Sequence, residues 1–460
     1  MYWHGEQIPF PDLLVINCKM HWIGMGFQAV KIQAMNAAPC DKAPGVPFFI
    51  CKKENQISRV GREERRGKIM AQRVQIPVSE FKERVQRAAA LVREKGLDVL
   101  VVNGSEADYA NTRYFSNFWP VFERCGVAIS AAGDCAIMVG PESQIFAADF
   151  GVIEKVYVLY EYRESANPAY PELKVQKYSD VFEGIGVHGK KLRIGVAAWL
   201  DTNVVMMEGL KDTYPEAEIV RADDIMVKLR SVKSDNEIAC LREAARITQI
   251  ATDEVIKHIR PGVTELSLVG IAQKTIYENG AEYEGLPMYC FSEKSTKHAI
   301  SRSSYREIQK GDIVQLNLSA KVCGYSPSIG MPVCCGKLSP EKRDLVEFGL
   351  EAHMWTERYL KAGIVAGDVA KDFIKFFKEN GREKNYFYGP CHGLGLIEVE
   401  SPWMETISDY KLQKNMTFQI DTFVMGDTFG LRWEKPIAIT ENGCEMLCER
   451  QIGKIYEIDC

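Results

Sequence analysis

Beyond residue 70 the apolar positions fall into two alternating rhythms. Phe81, Val85, Ala88, Ala89 and Val92 recur every three or four residues and predict a helix over 78–94 with one inward face. Short apolar runs at 97–102, 126–130, 136–139 and 144–147, punctuated by Gly104 and by Gly133-Asp134, read as strands. A further strand at 192–196 leads into a helical run at 204–210. This alternation predicts a small three-layer α/β domain over 70–225, ending at the charged linker Arg221-Ala222-Asp223-Asp224.

Residues 226–460 carry a repeat. A helical stripe runs through Leu241, Ala244, Ile247, Ala251, Val255 and Ile259 and stops at Pro261-Gly262; a second helix, capped by Thr264, runs to Gly280. The layout returns from Leu345 to Leu360, breaks at Gly363 and resumes from Asp368 to Gly381, with both glycine pairs 18 residues apart. Two copies of helix, break, helix, strands predict an α+β domain of two related halves about a pseudo-twofold axis, with a site between them.

The first 69 residues share neither rhythm. They scatter Pro9, Pro11, Pro39, Pro44 and Pro47 among Cys18, Cys40 and Cys51. Glu63-Glu64-Arg65-Arg66-Gly67-Lys68 matches a purine-rich coding stretch of the kind that precedes a bacterial start codon. Residues 1–69 are therefore read as an extension outside native synthesis from Met70, the alternative being a disordered extension.

Over all 460 residues the net charge of -5 excludes an electrostatic footprint for nucleic acid or anionic membrane. No apolar run reaches spanning length and no leader pattern opens the chain, so a cytoplasmic location is expected. The 14 cysteines fall in no zinc or iron-sulfur spacing and read as free thiols, with the adjacent Cys334-Cys335 a point of oxidation.

Chemistry-bearing residues cluster in a fixed order. Lys228-Leu229-Arg230-Ser231-Val232-Lys233-Ser234 precedes Gly311-Asp312-Ile313-Val314-Gln315-Leu316-Asn317 and Gly324-Tyr325-Ser326-Pro327-Ser328. His392-Gly393-Leu394-Gly395-Leu396, Phe418-Gln419-Ile420-Asp421 and Gly430-Leu431-Arg432-Trp433-Glu434 follow. With these motifs the span from Met70 onward resembles the creatinase, prolidase and aminopeptidase P (M24) family. The resemblance implies a creatinase-like α/β N-terminal domain and a pita-bread catalytic domain. Metallopeptidase members hold two ions with two aspartates, a histidine and two glutamates; the matching positions here are Asn317, Ser328, His392, Asp421 and Glu434. A neutral amide and a hydroxyl are poor bridges between hard cations, so no dinuclear centre and no cofactor is expected. A single divalent ion on His392, Asp421 and Glu434 is the alternative.

Creatinase, which needs no metal, supplies the remaining expectations. Its catalytic histidine matches His298, implying a proton shuttle. His392 would act as a donor, and Asp421 and Glu434 as orienters of substrate or water. Phe122-Glu123-Arg124 resembles the creatinase element that reaches a neighbouring subunit's site, where Arg124 would grip a substrate carboxylate. Three departures qualify the likeness: Gly330 stands where creatinase has a second cation-binding glutamate, Trp403 where it has an arginine, and Val399 where the family has a second histidine. Creatine and ordinary proline peptides are accordingly not expected as substrates. The function expected is metal-independent hydrolysis of an amidine, amide or ring C–N bond in a small carboxylated nitrogen compound, by a homodimer. A single-metal hydrolase or lyase, including aminopeptidase-like activity, and a non-catalytic binding protein are the alternatives.

Overall fold

The computed structural model describes residues 74–448 and 453–460, with the backbone of two short antiparallel strands, β1 (Ile16–Asn17) and β2 (Gln33–Ala34). The chain divides into two compact units, Met1–Ala71 and Gln72–Cys460. The reading of residues 1–69 thus falls almost wholly outside the described residues.

In the second unit, α1 (Val78–Glu94) follows Pro77 and buries Phe81, Val85, Ala88, Ala89 and Val92, the stripe that the spacing predicts. Six strands come next: β3 (Val99–Gly104), β4 (Cys125–Ser130), β5 (Cys135–Val139), β6 (Val156–Val158), β7 (Arg193–Ala197) and β8 (Glu218–Arg221). They form one sheet in the order β6-β5-β4-β3-β7-β8. Side chains along β3 alternate between two cores: Leu100 and Val102 join one cluster, Val99 and Val101 the other. A strand buried on both faces needs cover on both, hence three layers. The covering helices include α2 (Ala110–Ser116), α3 (Gln144–Phe150), α4 (Tyr178–Gly184) and α5 (Val204–Thr213).

Two local expectations are corrected. The apolar run 144–147 is the start of α3, because Pro141 opens a helical turn ahead of it and Ala147 is the one side chain of α3 that is buried. The charged run at 221–224 is split: Arg221 ends β8, and Asp223 and Asp224 open α6 (Asp223–Ser231), where carboxylates favour a helix N-terminus.

The repeat is visible as two helix pairs. α7 (Asp235–His258) is capped by a Ser234/Glu237 box and followed by α8 (Glu265–Glu278), capped by Thr264. α9 (Pro340–Tyr359), capped by Ser339, is followed by α10 (Ala366–Glu379). Gly262, Gly280, Gly363 and Gly381 all adopt positive φ, at 83°, 96°, 89° and 67°, so the equivalent breaks share a left-handed residue that glycine takes without strain.

The strands of this half are β9 (Tyr283–Glu284), β10 (Tyr289–Ser292), β11 (Ile313–Lys321), β12 (Ser328–Cys335), β13 (Cys391–Gly393), β14 (Glu400–Trp403), β15 (Thr417–Met425), β16 (Gly430–Ile439), β17 (Cys444–Met446) and β18 (Tyr456–Ile458). The sheet order β10-β11-β12-β16-β15-β13-β14 sets the hairpin β11-β12 beside β15-β16. The architecture is α+β: a pita-bread domain behind a creatinase-like α/β domain.

Candidate active site

Strand register builds the site. Directly opposed residues in neighbouring strands share a face, and the pairs Tyr289↔Asn317, Asn317↔Gly330, Gly330↔Glu434 and Asp421↔Glu434 make one row across five strands. His392 pairs with Gln419, two residues before Asp421 and therefore on the same face. Gly330 sits in the middle of this row for a steric reason. A Cβ there would lie 2.6 Å from both Asn317 Nδ2 and Glu434 Cβ, so only a residue without one lets those side chains meet. They do meet: Asn317 Nδ2 donates to Glu434 Oε2.

The flank where a dinuclear centre needs bridging anions now holds hydrogen-bond donors. Gln419 Nε2 donates to Glu434 Oε1 at 3.1 Å and to Ser328 Oγ at 2.6 Å, and Ser328 Oγ donates to Glu398 Oε1 at 3.2 Å. Gln315 Nε2 braces Asn317 Oδ1 at 3.0 Å. These residues do not fit a two-ion cofactor, since the amide of Asn317 presents N–H to the carboxylate that an ion would claim.

Buried charge fills the rest of the pocket. His392 Nε2 lies 3.8 Å from both Glu398 Oε1 and Glu434 Oε1 and 4.0 Å from Asp421 Oδ2, separations for ion pairs rather than hydrogen bonds. Burial opposes the imidazolium, but attraction to Glu434, Glu398 and Asp421 outweighs it and holds His392 up at about 9. Burial, reinforced by the charge of Glu434, pushes the Glu398 carboxyl well above the usual carboxylate range and favours its protonated form. Glu434 moves the opposite way: burial would raise it, yet His392 and the Arg432 charge hold it low. Asp421 is raised by burial despite the Arg432 guanidinium, whose Nε lies 3.1 Å from Oδ1. Two carboxyl groups pushed in opposite directions beside a raised imidazole are an acid–base arrangement.

The segment carrying Glu398 is held at both ends. Tyr109 of the N-terminal domain donates its hydroxyl to Leu396 O at 2.8 Å, while Arg230 and Lys233 both pair with Glu400. Between these anchors Glu398 turns inward and Val399 outward, the latter 45% exposed.

The structure therefore brings His392, Asp421 and Glu434 together and adds Glu398, Arg432 and Gln419, which sequence reasoning did not assign to the site. The candidate single-ion ligand set changes with it: the donor atoms of His392, Glu398 and Glu434 lie within 4.8 Å of one another, whereas Asp421 is drawn to Arg432. His298 makes its side-chain hydrogen bond outside this group. Its ring is exposed, with Nδ1 3.2 Å from Ser301 Oγ, although the next residue's carbonyl, Ala299 O, accepts from Arg432 at 3.0 Å and ties the loop to the pocket edge. Phe122 and Arg124 lie on the N-terminal domain, Phe122 78% exposed at φ 60° and Arg124 half-buried.

Comparison with known proteins agrees with this geometry. The profile of metallopeptidase family M24 matches residues 239–441, and that of the creatinase/prolidase N-terminal domain matches 84–232, together about three quarters of the chain. The Xaa-Pro dipeptidase of Pyrococcus furiosus is 24% identical over 81% of this chain and 99% of its own length. Creatinase from a Bacillus species is 23% identical, over 54% of this chain and 64% of its own length. Among solved structures, X-Pro aminopeptidase from Thermotoga maritima superposes with a TM-score of 0.70 at 21% identity, covering 81% of this chain and 99% of that one, a likeness of fold. The chain belongs to the creatinase/prolidase group of metallopeptidase family M24.

Proposed function

We propose that this member of a hydrolase family cleaves a C–N bond in a small carboxylated nitrogen compound without the paired ions of the metallopeptidases. The observation that carries this reading is the replacement of bridging anions by the donors Asn317, Gln419 and Ser328, all engaged with Glu434 or Glu398. Water adds to the carbon, with Asp421 Oδ2 accepting its proton; the C–N bond breaks as Glu398 protonates the departing nitrogen. Proton return from Asp421 to Glu398 resets the pair. His392 and Arg432 supply positive charge against the oxygen on which negative charge develops. Gln419 Oε1 is buried without a hydrogen-bond partner among the described residues and suits an N–H of a guanidino or amidine group. Keeping this many ionisable groups out of water is costly, which weighs against a chain that only binds.

One observation supports a second reading, a single divalent ion on His392, Glu398 and Glu434, an N/O donor set that suits zinc. Elemental analysis of protein prepared without chelator separates the two. Metal well below one ion per chain, with turnover of guanidino, cyclic amidine or N-substituted amino acids unaffected by EDTA, is expected; a stoichiometric ion removed together with activity establishes the second reading.

The N-terminal domain supports a homodimer. Val121 and Phe122, just before Arg124 in the chain, and Ile145 and Phe150 on α3 expose apolar side chains, as do Val399, Trp403 and Ile407 on the catalytic domain. A second copy covering both would bring Arg124 to its partner's substrate carboxylate. Phe122→Asp is expected to shift the protein from dimer to monomer in analytical ultracentrifugation, and an unchanged mass would remove this surface from the interface.

No helix among the described residues is long and apolar enough to cross a membrane.

A further inference from the structure

The last described strand brings two cysteines together far from the pocket. β18 runs parallel to β12 with Val333↔Tyr456, Cys334↔Glu457 and Cys335↔Ile458 in register. Its position is fixed by contacts that involve no sulfur. Glu457 accepts from Leu338 N at 2.9 Å and pairs with Arg343 at 2.6 Å, Gly336 N donates to Ile458 O at 2.8 Å, and Lys310 Nζ donates to Cys460 O at 3.1 Å. In that setting Cys335 Sγ and Cys460 Sγ lie 2.9 Å apart, closer than unbonded sulfurs pack. Cys334, next along β12, points to the opposite face of the strand. The adjacent pair noted in the sequence is therefore divided between two environments, and the neighbour of Cys460 is Cys335.

We infer that Cys335 and Cys460 form a reversible disulfide that staples β18 to β12, with a low-molecular-weight disulfide as the oxidant. Exposure sets the order of events. Cys335 is fully buried and its thiol is pushed up to about 12 by burial, whereas Cys460 is exposed. The Cys460 thiolate attacks the small disulfide, giving a mixed disulfide and releasing one thiolate. Cys335 then loses its proton and attacks the Cys460 sulfur, releasing the second. Two protein thiols lose two electrons and two protons, and one small disulfide becomes two thiols. Because Cys335 is shielded from solvent, the sulfur within its reach is that of Cys460, two residues past the end of β18.

The staple closes a loop between residues 125 apart, which restricts the unfolded chain more than the folded one. The full-length chain treated with oxidised glutathione, then alkylated, is expected to be lighter by two hydrogens through a link joining the Cys335 and Cys460 peptides. Its melting temperature should rise by a few degrees, and dithiothreitol should reverse both changes. Cys460→Ser, an exposed substitution, should show neither change while melting like the reduced parent. A stable glutathione adduct on Cys460 with Cys335 still open to alkylation after unfolding, or a link through Cys334, would overturn the inference.

Discussion

Glu398→Gln is expected to reduce turnover of any active compound by roughly 10²–10⁴-fold, the usual contribution of a general acid, while below the ordinary glutamate value of 4.5 the folded state keeps close to the parent's stability. The amide has the shape of the neutral acid and retains a hydrogen to donate, but it cannot release a proton to a leaving nitrogen. A stability comparison across pH adds a sign. Between the ordinary glutamate value of 4.5 and the raised folded value, the folded parent holds a proton that the unfolded chain has released. Parent stability from this group therefore falls as pH rises through that window, and the variant escapes the loss. It should gain on the parent toward alkaline pH in chemical denaturation. A small kinetic effect here with a large one for His298→Ala would return the proton transfer to the loop histidine.

Arg432→Met is expected to cost about 3–5 kcal/mol in denaturant titration, because it strands the buried Asp421 carboxylate without its counter-charge. Methionine preserves much of the packing against Tyr388 and Phe423, whose rings lie 5.7 and 5.5 Å from the guanidinium carbon. The deficit should depend on pH. With the arginine gone, Asp421 rises further above its ordinary 3.8, the folded state binds the extra proton, and stability declines as pH climbs from about 4. Adding Asp421→Asn removes the stranded charge and should restore most of the loss. Additive losses in the double variant would show that Arg432 acts through packing or through Ala299 instead.

How much of this could be read from the chain depends on the range of the interaction. The helix pairs and their breaks were legible because glycine spacing and apolar stripes are local, and the four left-handed glycines carry that signal in full. Asn317, His392, Asp421 and Glu434 were legible through motif order. Arg432, Gln419 and Gln315 were within reach: each stands two residues before a site residue on the same strand, and strand periodicity puts both on one face. Glu398 was not. The family's seven-residue spacing from His392 selects Val399, but residues 394–399 are a loop between β13 and β14, where no strand alternation fixes which side chain turns inward. What chooses Glu398 is remote. Tyr109 lies 287 positions from its partner Leu396, and Arg230 lies 170 positions from Glu400. Residues 144–147 failed for the opposite reason, since a short apolar run suits helix and strand equally.

Those anchors also bear on where one machine ends and another begins. The two profile matches mark two stretches of sequence, but the loop bearing Glu398 is strung between a tyrosine of the first domain and cations of the connecting segment. Cutting the chain at the boundary of the second match would slacken the tether and leave the acid without a fixed bearing. The acid proposed here thus takes its bearing from the N-terminal domain, and a chain cut between the two matches is expected to lose turnover that the joined pair keeps.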